Sequence, residues 1–199
     1  MLPMKSSERP TRTSLSHPLR IDELRIEGVS GLIGITFCPG KCAESYSGFR
    51  WERDLESDLD AISKWSADAA VTLIEDHEFD MLGVQHLGKQ VGVRGIDWHH
   101  LPIVDVAPPD SRFEDGWLLS GPRLHAILCE GGRVLVHCRG GLGRAGTVAA
   151  RLLVEFGVSP KRAVERVRSV RPGAIETHQQ MQYVLNLPIK RELSQRCVR

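Results

Sequence analysis

Apolar residues along the chain follow two rhythms: short runs rich in Val, Ile and Leu, and longer stretches in which apolar positions recur every three or four residues. Leu24-Arg25-Ile26 and Leu32 to Phe37, broken by Gly28 and Gly31, read as two strands forming a hairpin at a sheet edge. Asp54 to Asp68 carries Leu55, Leu59, Ile62 and Trp65 at helical spacing, with Asp54 as the cap. Ala69 to Ile74 reads as a buried strand, Val84 to Val93 as a helix interrupted by Gly88 and Gly92, and Ile96 to Val104 as a further strand. A helix is expected over Gly116 to Glu130, burying Leu124, Ile127 and Leu128 and ending at Gly131-Gly132. Cys129 is read as a buried residue of that helix. Val134-Leu135-Val136 is a buried strand end, and Val148, Leu152, Leu153 and Phe156 mark the helix that follows. Ser159-Pro160 opens another helix, whose apolar face is Ala163, Val164, Val167 and Val170. Its Arg162, Arg166 and Arg168 form a solvated surface on which Arg166 or Arg168 can meet an acidic substrate. Met181, Val184 and Leu185 close the last helix. Helix and strand alternate, which predicts an α/β fold: a central mixed, mostly parallel sheet flanked by helices.

The most informative stretch is Arg133 to Thr147, R-V-L-V-H-C-R-G-G-L-G-R-A-G-T. Strand, glycine loop and helix start follow one another there. Successive loop N–H groups can converge on one centre, and the helix N-terminus adds partial positive charge, so the segment is built for an anion. Cys138 opens the loop and Arg144 closes it. A thiolate is stabilised in such a place and is the nucleophilic form of cysteine. Arg144 offers a planar fork for two phosphate oxygens. Together they suggest phosphoryl transfer to cysteine, with Arg139, Gly140, Gly141, Leu142 and Gly143 lining the anion site. Gly141-x-Gly143-x-x-Gly146 also matches the dinucleotide fingerprint, but that motif needs a second parallel strand ending in an acid, and Ser159 to Arg171 has helical spacing instead. The Walker pattern fails because Thr147 stands where its lysine belongs. A buried cysteine beside a tight turn is the bland alternative.

A chain of 199 residues accommodates a single domain, expected over 21–189, with a flexible tail over 1–20 and a basic tail over 190–199. The net charge of +1 gives no push toward nucleic acid or membrane. No apolar run has the length of a membrane span, and the first residues lack a secretory h-region. The Ser-, Arg- and Pro-rich start slightly resembles a transit peptide but has no amphipathic face, so it is read as a disordered tail. Five irregularly spaced cysteines argue against a secreted disulfide framework, and a working thiolate needs a reducing compartment, so the cytoplasm is expected. Cys38 and Cys42 lack the further ligands a zinc site requires, and no metal or other cofactor is expected. Either could act as a resolving thiol for Cys138 under oxidation.

His137-Cys138-x5-Arg144 resembles the signature of the cysteine-dependent tyrosine and dual-specificity phosphatases. The spelling H-C-R-G-G-L-G-R is similar to the kinase-associated phosphatase family, and the likeness runs from about Gly31 to Leu187. The resemblance implies a phosphotyrosine-phosphatase-like fold and a two-step hydrolysis. In it Cys138 attacks phosphorus, Arg144 and the loop amides hold the oxygens, and an aspartic acid on a movable loop protonates the leaving group. That acid falls at Asp105. From the residues alone Asp105 and Asp110 both qualify, since each borders the proline-rich loop Val106 to Asp110, and Asp110 can instead cap the next helix. The resemblance also implies that His137 orients the loop and that Gln180 matches a glutamine supporting the second step.

Two positions depart from the family pattern. Ala145 stands where Ser or Thr usually follows the arginine, and Thr147, a supporting candidate further along, points elsewhere on a helix. Glu176 replaces a neutral amide, and near the loop its charge would oppose thiolate and phosphate alike. The expected activity is therefore a protein phosphatase acting on phosphotyrosine, and on phosphoserine or phosphothreonine if the site is shallow. A phosphoinositide or small-phosphoester phosphatase and a weakly active phosphate-binding scaffold are the alternatives. The expected partner is a phosphorylated protein or peptide, with a kinase partner implied by resemblance alone.

Overall fold

The computed structural model describes residues 9–45, 48–189 and 197. Its strands are β1 (Thr11–Arg12), β2 (Asp22–Ile26), β3 (Val29–Phe37), β4 (Cys42–Glu44), β5 (Arg50–Glu52), β6 (Ala69–Thr72), β7 (Asp97–His100) and β8 (Arg133–Cys138). Its helices are α1 (Leu55–Lys64), α2 (Asp76–Leu82), α3 (Leu87–Val93), α4 (Ser111–Cys129), α5 (Gly143–Glu155), α6 (Pro160–Val170) and α7 (His178–Leu185). The central five-stranded sheet has the order β2-β3-β8-β6-β7. β2 pairs antiparallel with β3 as an edge hairpin, and the other pairings are parallel. This is the mixed, mostly parallel sheet that the alternation predicts.

β8 runs up the middle, with Val136 beside Ile35 on one side and Val71 on the other. Val134 and Val136 join the core shared with α4, α5, α6 and α7, whereas Leu135 and Ala70 join the core under α1, α2 and α3. Both faces of the sheet are covered, which is why these strands read as unbroken apolar runs. α5 is buried along its whole length. Ala145, Gly146, Ala149 and Ala150 keep it thin enough to lie between the sheet and the outer helices.

A buried polar network locks α4, α5 and α7 together. Glu155 accepts hydrogen bonds from Trp117 Nε1 (3.1 Å) and Arg151 Nε (3.2 Å), and its other oxygen lies 2.6 Å from His125 Nε2. Arg151 also pairs with Glu114, which accepts from the Tyr183 hydroxyl at 2.7 Å.

Several boundaries differ from the sequence reading. α4 begins at Ser111 rather than Gly116, because Asp110 caps it by accepting from Phe113 N at 3.0 Å. The apolar stripe extends back through Trp117 and Phe113, both buried, and Gly116 masked it. β7 stops at His100 ahead of Pro102, which has no N–H for a ladder. α2 and the small sheet β1-β5-β4 were not foreseen. Of the tail expected over 1–20, residues 1–8 lie outside the described residues, but 9–20 are attached to the domain: β1 pairs with β5, and Arg53 donates to His17 O at 2.7 Å. The expected basic tail lies outside the described residues except Cys197. Cys129, read as a buried helix residue, is half-buried and disulfide-bonded to Cys197. Among the described residues no helix is long and apolar enough to cross a membrane.

Removing the Glu155 carboxylate leaves buried cationic and N–H groups facing a gap. Glu155→Ala is expected to lower unfolding free energy by about 3 kcal/mol or more, measured by urea denaturation.

Candidate active site

Cys138 ends β8 at the carboxyl edge of the sheet, paired with Phe37 of β3. This is where open α/β sheets present their loops to ligands. The chain then turns through Arg139 to Leu142 and enters α5 at Gly143. Gly141 has φ +70°, and a Cβ there would sit 2.5 Å from Thr36 O, so only glycine fits. Its N–H donates to Cys138 Sγ at 3.2 Å.

The loop carbonyls are tied from behind. Lys41 Nζ donates to Arg139 O at 3.0 Å, and Arg171 donates to Gly141 O (3.0 Å) and Gly140 O (3.3 Å). Arg171 is itself fixed by buried Asp22 at 2.7 Å. In a trans peptide the carbonyl and the following N–H point oppositely, so holding these carbonyls outward turns the N–H groups of Gly140, Gly141 and Leu142 inward.

Arg144 is buried at 2% exposure and fully engaged. It forms a two-pronged pair with Glu78 of α2 (2.5 and 3.0 Å), donates to Ile103 O at 3.0 Å, and lies 2.8 Å from Asp105 Oδ1. Burial works against its charge, yet the Glu78 hydrogen bonds and the nearby Cys138 and Asp105 hold its pKa above the ordinary arginine value. Burial likewise pushes Glu78 up, but Arg144 and the Glu75 N–H (2.8 Å) hold it below the usual carboxylate range.

Asp105, half exposed, is thus joined to Arg144, while Asp110 is spent as the α4 cap. Val106, directly after Asp105, has φ +57°, and Ile175, directly before Glu176, has φ +58°. Both are β-branched, for which this region costs about 1 kcal/mol or more. The strain sits on the two segments that bring carboxylates to the loop. Glu176 Oε2 accepts from Gly143 N at 2.7 Å, so a carboxylate occupies one of the site's N–H donors. Gln180 Nε2 donates to Ala107 O at 3.0 Å and ties the Asp105 loop to α7.

His137 lies behind the loop, its Nε2 2.8 Å from Thr72 Oγ1, which also accepts from Trp98 Nε1. Burial, with the charges of Arg144 and His100, pulls its pKa down to about 3. Thr147 does not join the site: its hydroxyl donates to Gly143 O at 2.7 Å, one turn back in its own helix. Arg168, read as solvated, instead holds Ala174 O and Ile175 O, and Arg166 donates to Arg25 O. Cys38 is wholly buried, and burial pushes its thiol up. Glu78, Lys41, Asp22 and Arg171 were missed by sequence reading. Glu78 lies in an acidic run that looks solvated, where Phe79 and Leu82 at helical spacing were the signal for α2. Arg171 was legible only as the start of a turn.

A family model described as PTP-SAK, a Swiss Army Knife protein, DSP-PTPase phosphatase domain, matches residues 55–184. The chain belongs to the dual-specificity and tyrosine phosphatase family. This phosphatase is 29% identical to cyclin-dependent kinase inhibitor 3 of Rattus norvegicus over 184 residues, 90% of this chain and 83% of that one. It is 38% identical to protein tyrosine phosphatase type IVA 3 of Homo sapiens over 90 residues, 44% of this chain, and spans about half (49%) of that relative's length. A crystal structure of kinase-associated phosphatase, with serine replacing its catalytic-site cysteine, matches at a TM-score of 0.72 and 27% identity, over 84% of this chain and 92% of that one. The dinucleotide reading falls away, since among the described residues no strand follows β8.

The phosphatase's buried His137 stays neutral when folded, whereas an unfolded histidine takes a proton below about pH 6.5. Its contribution to stability is complete above that pH and is lost as pH falls toward about 3. Denaturant midpoints at pH 7 and pH 5 are expected to differ less for His137→Gln than for wild type.

Proposed function

We propose that this chain hydrolyses phosphotyrosine in proteins or peptides through a cysteinyl-phosphate intermediate, and that phosphoserine and phosphothreonine are further substrates. The observation that carries the reading is the meeting of three groups at one anion seat: Cys138, Arg144 held by Glu78, and Asp105 2.8 Å from Arg144. In the first step the Cys138 thiolate attacks phosphorus, an S–P bond forms and the ester P–O bond breaks. The loop N–H groups and Arg144 hold the equatorial oxygens, and protonated Asp105 gives its proton to the leaving oxygen. Water then attacks phosphorus, passes a proton to Asp105, and the S–P bond breaks. His137 and Gln180 act by position, one behind the loop and one on the Asp105 segment. This scheme assigns no cofactor.

The names of the relatives support a phosphoprotein substrate, and kinase association, which one of those names states, is proposed here as a partner class. A phosphoinositide role is not favoured, because Arg139 is the only basic residue between Cys138 and Arg144. The cytoplasm is the proposed location, since Cys38, Cys42 and Cys138 are free thiols. The Cys129–Cys197 disulfide is the one feature bearing against a reducing compartment.

Phosphate release from an aryl phosphate in reductant tests the reading. Cys138→Ser is expected to abolish it, Asp105→Asn to slow it about a hundredfold, and chelator to leave it unchanged. Chelator-sensitive activity, or activity surviving in Cys138→Ser, overturns it. A phosphopeptide and phosphoinositide panel then selects the substrate class.

Ala145 and Glu176 set the second expectation. Ala145 gives the departing thiolate no hydroxyl, so rapid-quench kinetics should show a burst followed by slow phosphoenzyme hydrolysis, and Ala145→Ser should raise the steady rate. Glu176→Gln frees the Gly143 N–H from a competing charge and is expected to lower KM severalfold.

A further inference from the structure

We propose that Lys41 is a positioning residue for the phosphoryl transfer: its ammonium, enclosed behind the loop, holds the Arg139 carbonyl and supplies the positive charge that faces Cys138. The inference rests on Cys138 being the nucleophile.

Lys41 is only 6% exposed. Its Nζ donates to Arg139 O at 3.0 Å and sits over the rings of Phe37 (4.6 Å) and Trp51 (4.8 Å). Both rings present their negative faces to the cation, a compensation for lost water that leaves the charge in place. Among the described residues no carboxylate forms a salt bridge with it. Asp58 of α1, whose carboxylate accepts from Gly40 N at 2.9 Å, is taken by Arg53 through two hydrogen bonds of 2.7 Å. Glu78 is taken by Arg144.

The charged and titratable groups that face Lys41 are Cys38, Cys138, Arg53 and Arg139. Cys38 is held as a thiol by burial. Cys138 is the other sulfur that Lys41 faces, and the proposed mechanism uses it as the thiolate. Burial pulls Lys41 down to about 8, with the two cysteines resisting and the two arginines adding to the pull. The charge is present below about pH 8 and is lost above it. The same ammonium fixes the peptide that turns Gly140 N–H toward the anion, so one buried group serves both the nucleophile and the oxyanion donors.

The test is the pH dependence of iodoacetamide alkylation at Cys138, read by peptide mass spectrometry in the full chain, with Cys138→Ser as the blank. Lys41→Met is expected to move the alkylation midpoint to higher pH, slowing alkylation at pH 6 about tenfold. Lys41→Arg, charged throughout, is expected to restore the wild-type midpoint. An unmoved midpoint in Lys41→Met, including a uniform loss at every pH, overturns the proposal, as does Lys41→Arg behaving like Lys41→Met. If Lys41→Met does not unfold cooperatively, wild type and Lys41→Arg decide. The ratio of their kcat/KM values on an aryl phosphate, wild type over Lys41→Arg, should fall above about pH 8, on top of the loss both share as Asp105 gives up its proton. A ratio that stays constant with pH overturns it. Alkylation needs no turnover, so a Lys41-dependent midpoint in a chain that hydrolyses no phosphoester removes the phosphatase reading and leaves the Lys41–Cys138 coupling standing.

Discussion

A guanidinium taken out of water has to be answered from every side, and the Arg144 side chain imposes that demand on the whole molecule. Its partners come from separate parts of the chain. Glu78 comes from α2, the carbonyls of Leu73 and Ile103 from beyond the ends of β6 and β7, and Asp105 from the loop before α4. Satisfying one buried cation therefore joins helix α5 to both sides of the sheet and to the acid-bearing loop. Arg144 and Glu78 stabilise each other's charged forms, so the fork is present and aimed before any substrate arrives, which is what electrostatic preorganisation requires.

The glycine loop follows the same logic in reverse. Its N–H groups converge on one centre, so its carbonyls need partners outside. Lys41 and Arg171 provide them, and Asp22 in turn fixes Arg171. Two β-branched residues in left-handed backbone, Val106 and Ile175, hold the flanking segments inward. Gln180 and Arg168 over-determine those segments by bonding Ala107, Ala174 and Ile175 carbonyls. Strain concentrated beside a built anion site is the pattern expected of a functional region rather than of a packing accident.

The departures from the family pattern acquire physical content in the structure. Ala145 is wholly buried on α5 and belongs to the apolar core. Glu176 lies on the Gly143 N–H and adds a negative charge beside the glycine loop.

Much of this was legible in the chain itself. The run from Val134 to Phe156 contains strand, glycine turn and helix in an order that leaves little choice, because Gly141 alone tolerates both its φ and the approach of Thr36. The α/β alternation and the edge hairpin were legible for the same local reason: period and turn chemistry act over a few residues. The start of α4 was not, since Gly116 interrupts a stripe that Phe113 and Trp117 carry only once packed. The partners of the site were not legible either. Glu78 lies 66 residues from Arg144, and Lys41 lies 98 residues from Arg139. Their side chains look like ordinary surface charges until the sheet order β3-β8-β6 sets the strands that precede them beside one another. Sequence by itself determined the glycine loop after β8, whose geometry is local. Tertiary structure decided which distant charges answer it, because a buried ion is matched only by groups that folding brings within hydrogen-bond distance.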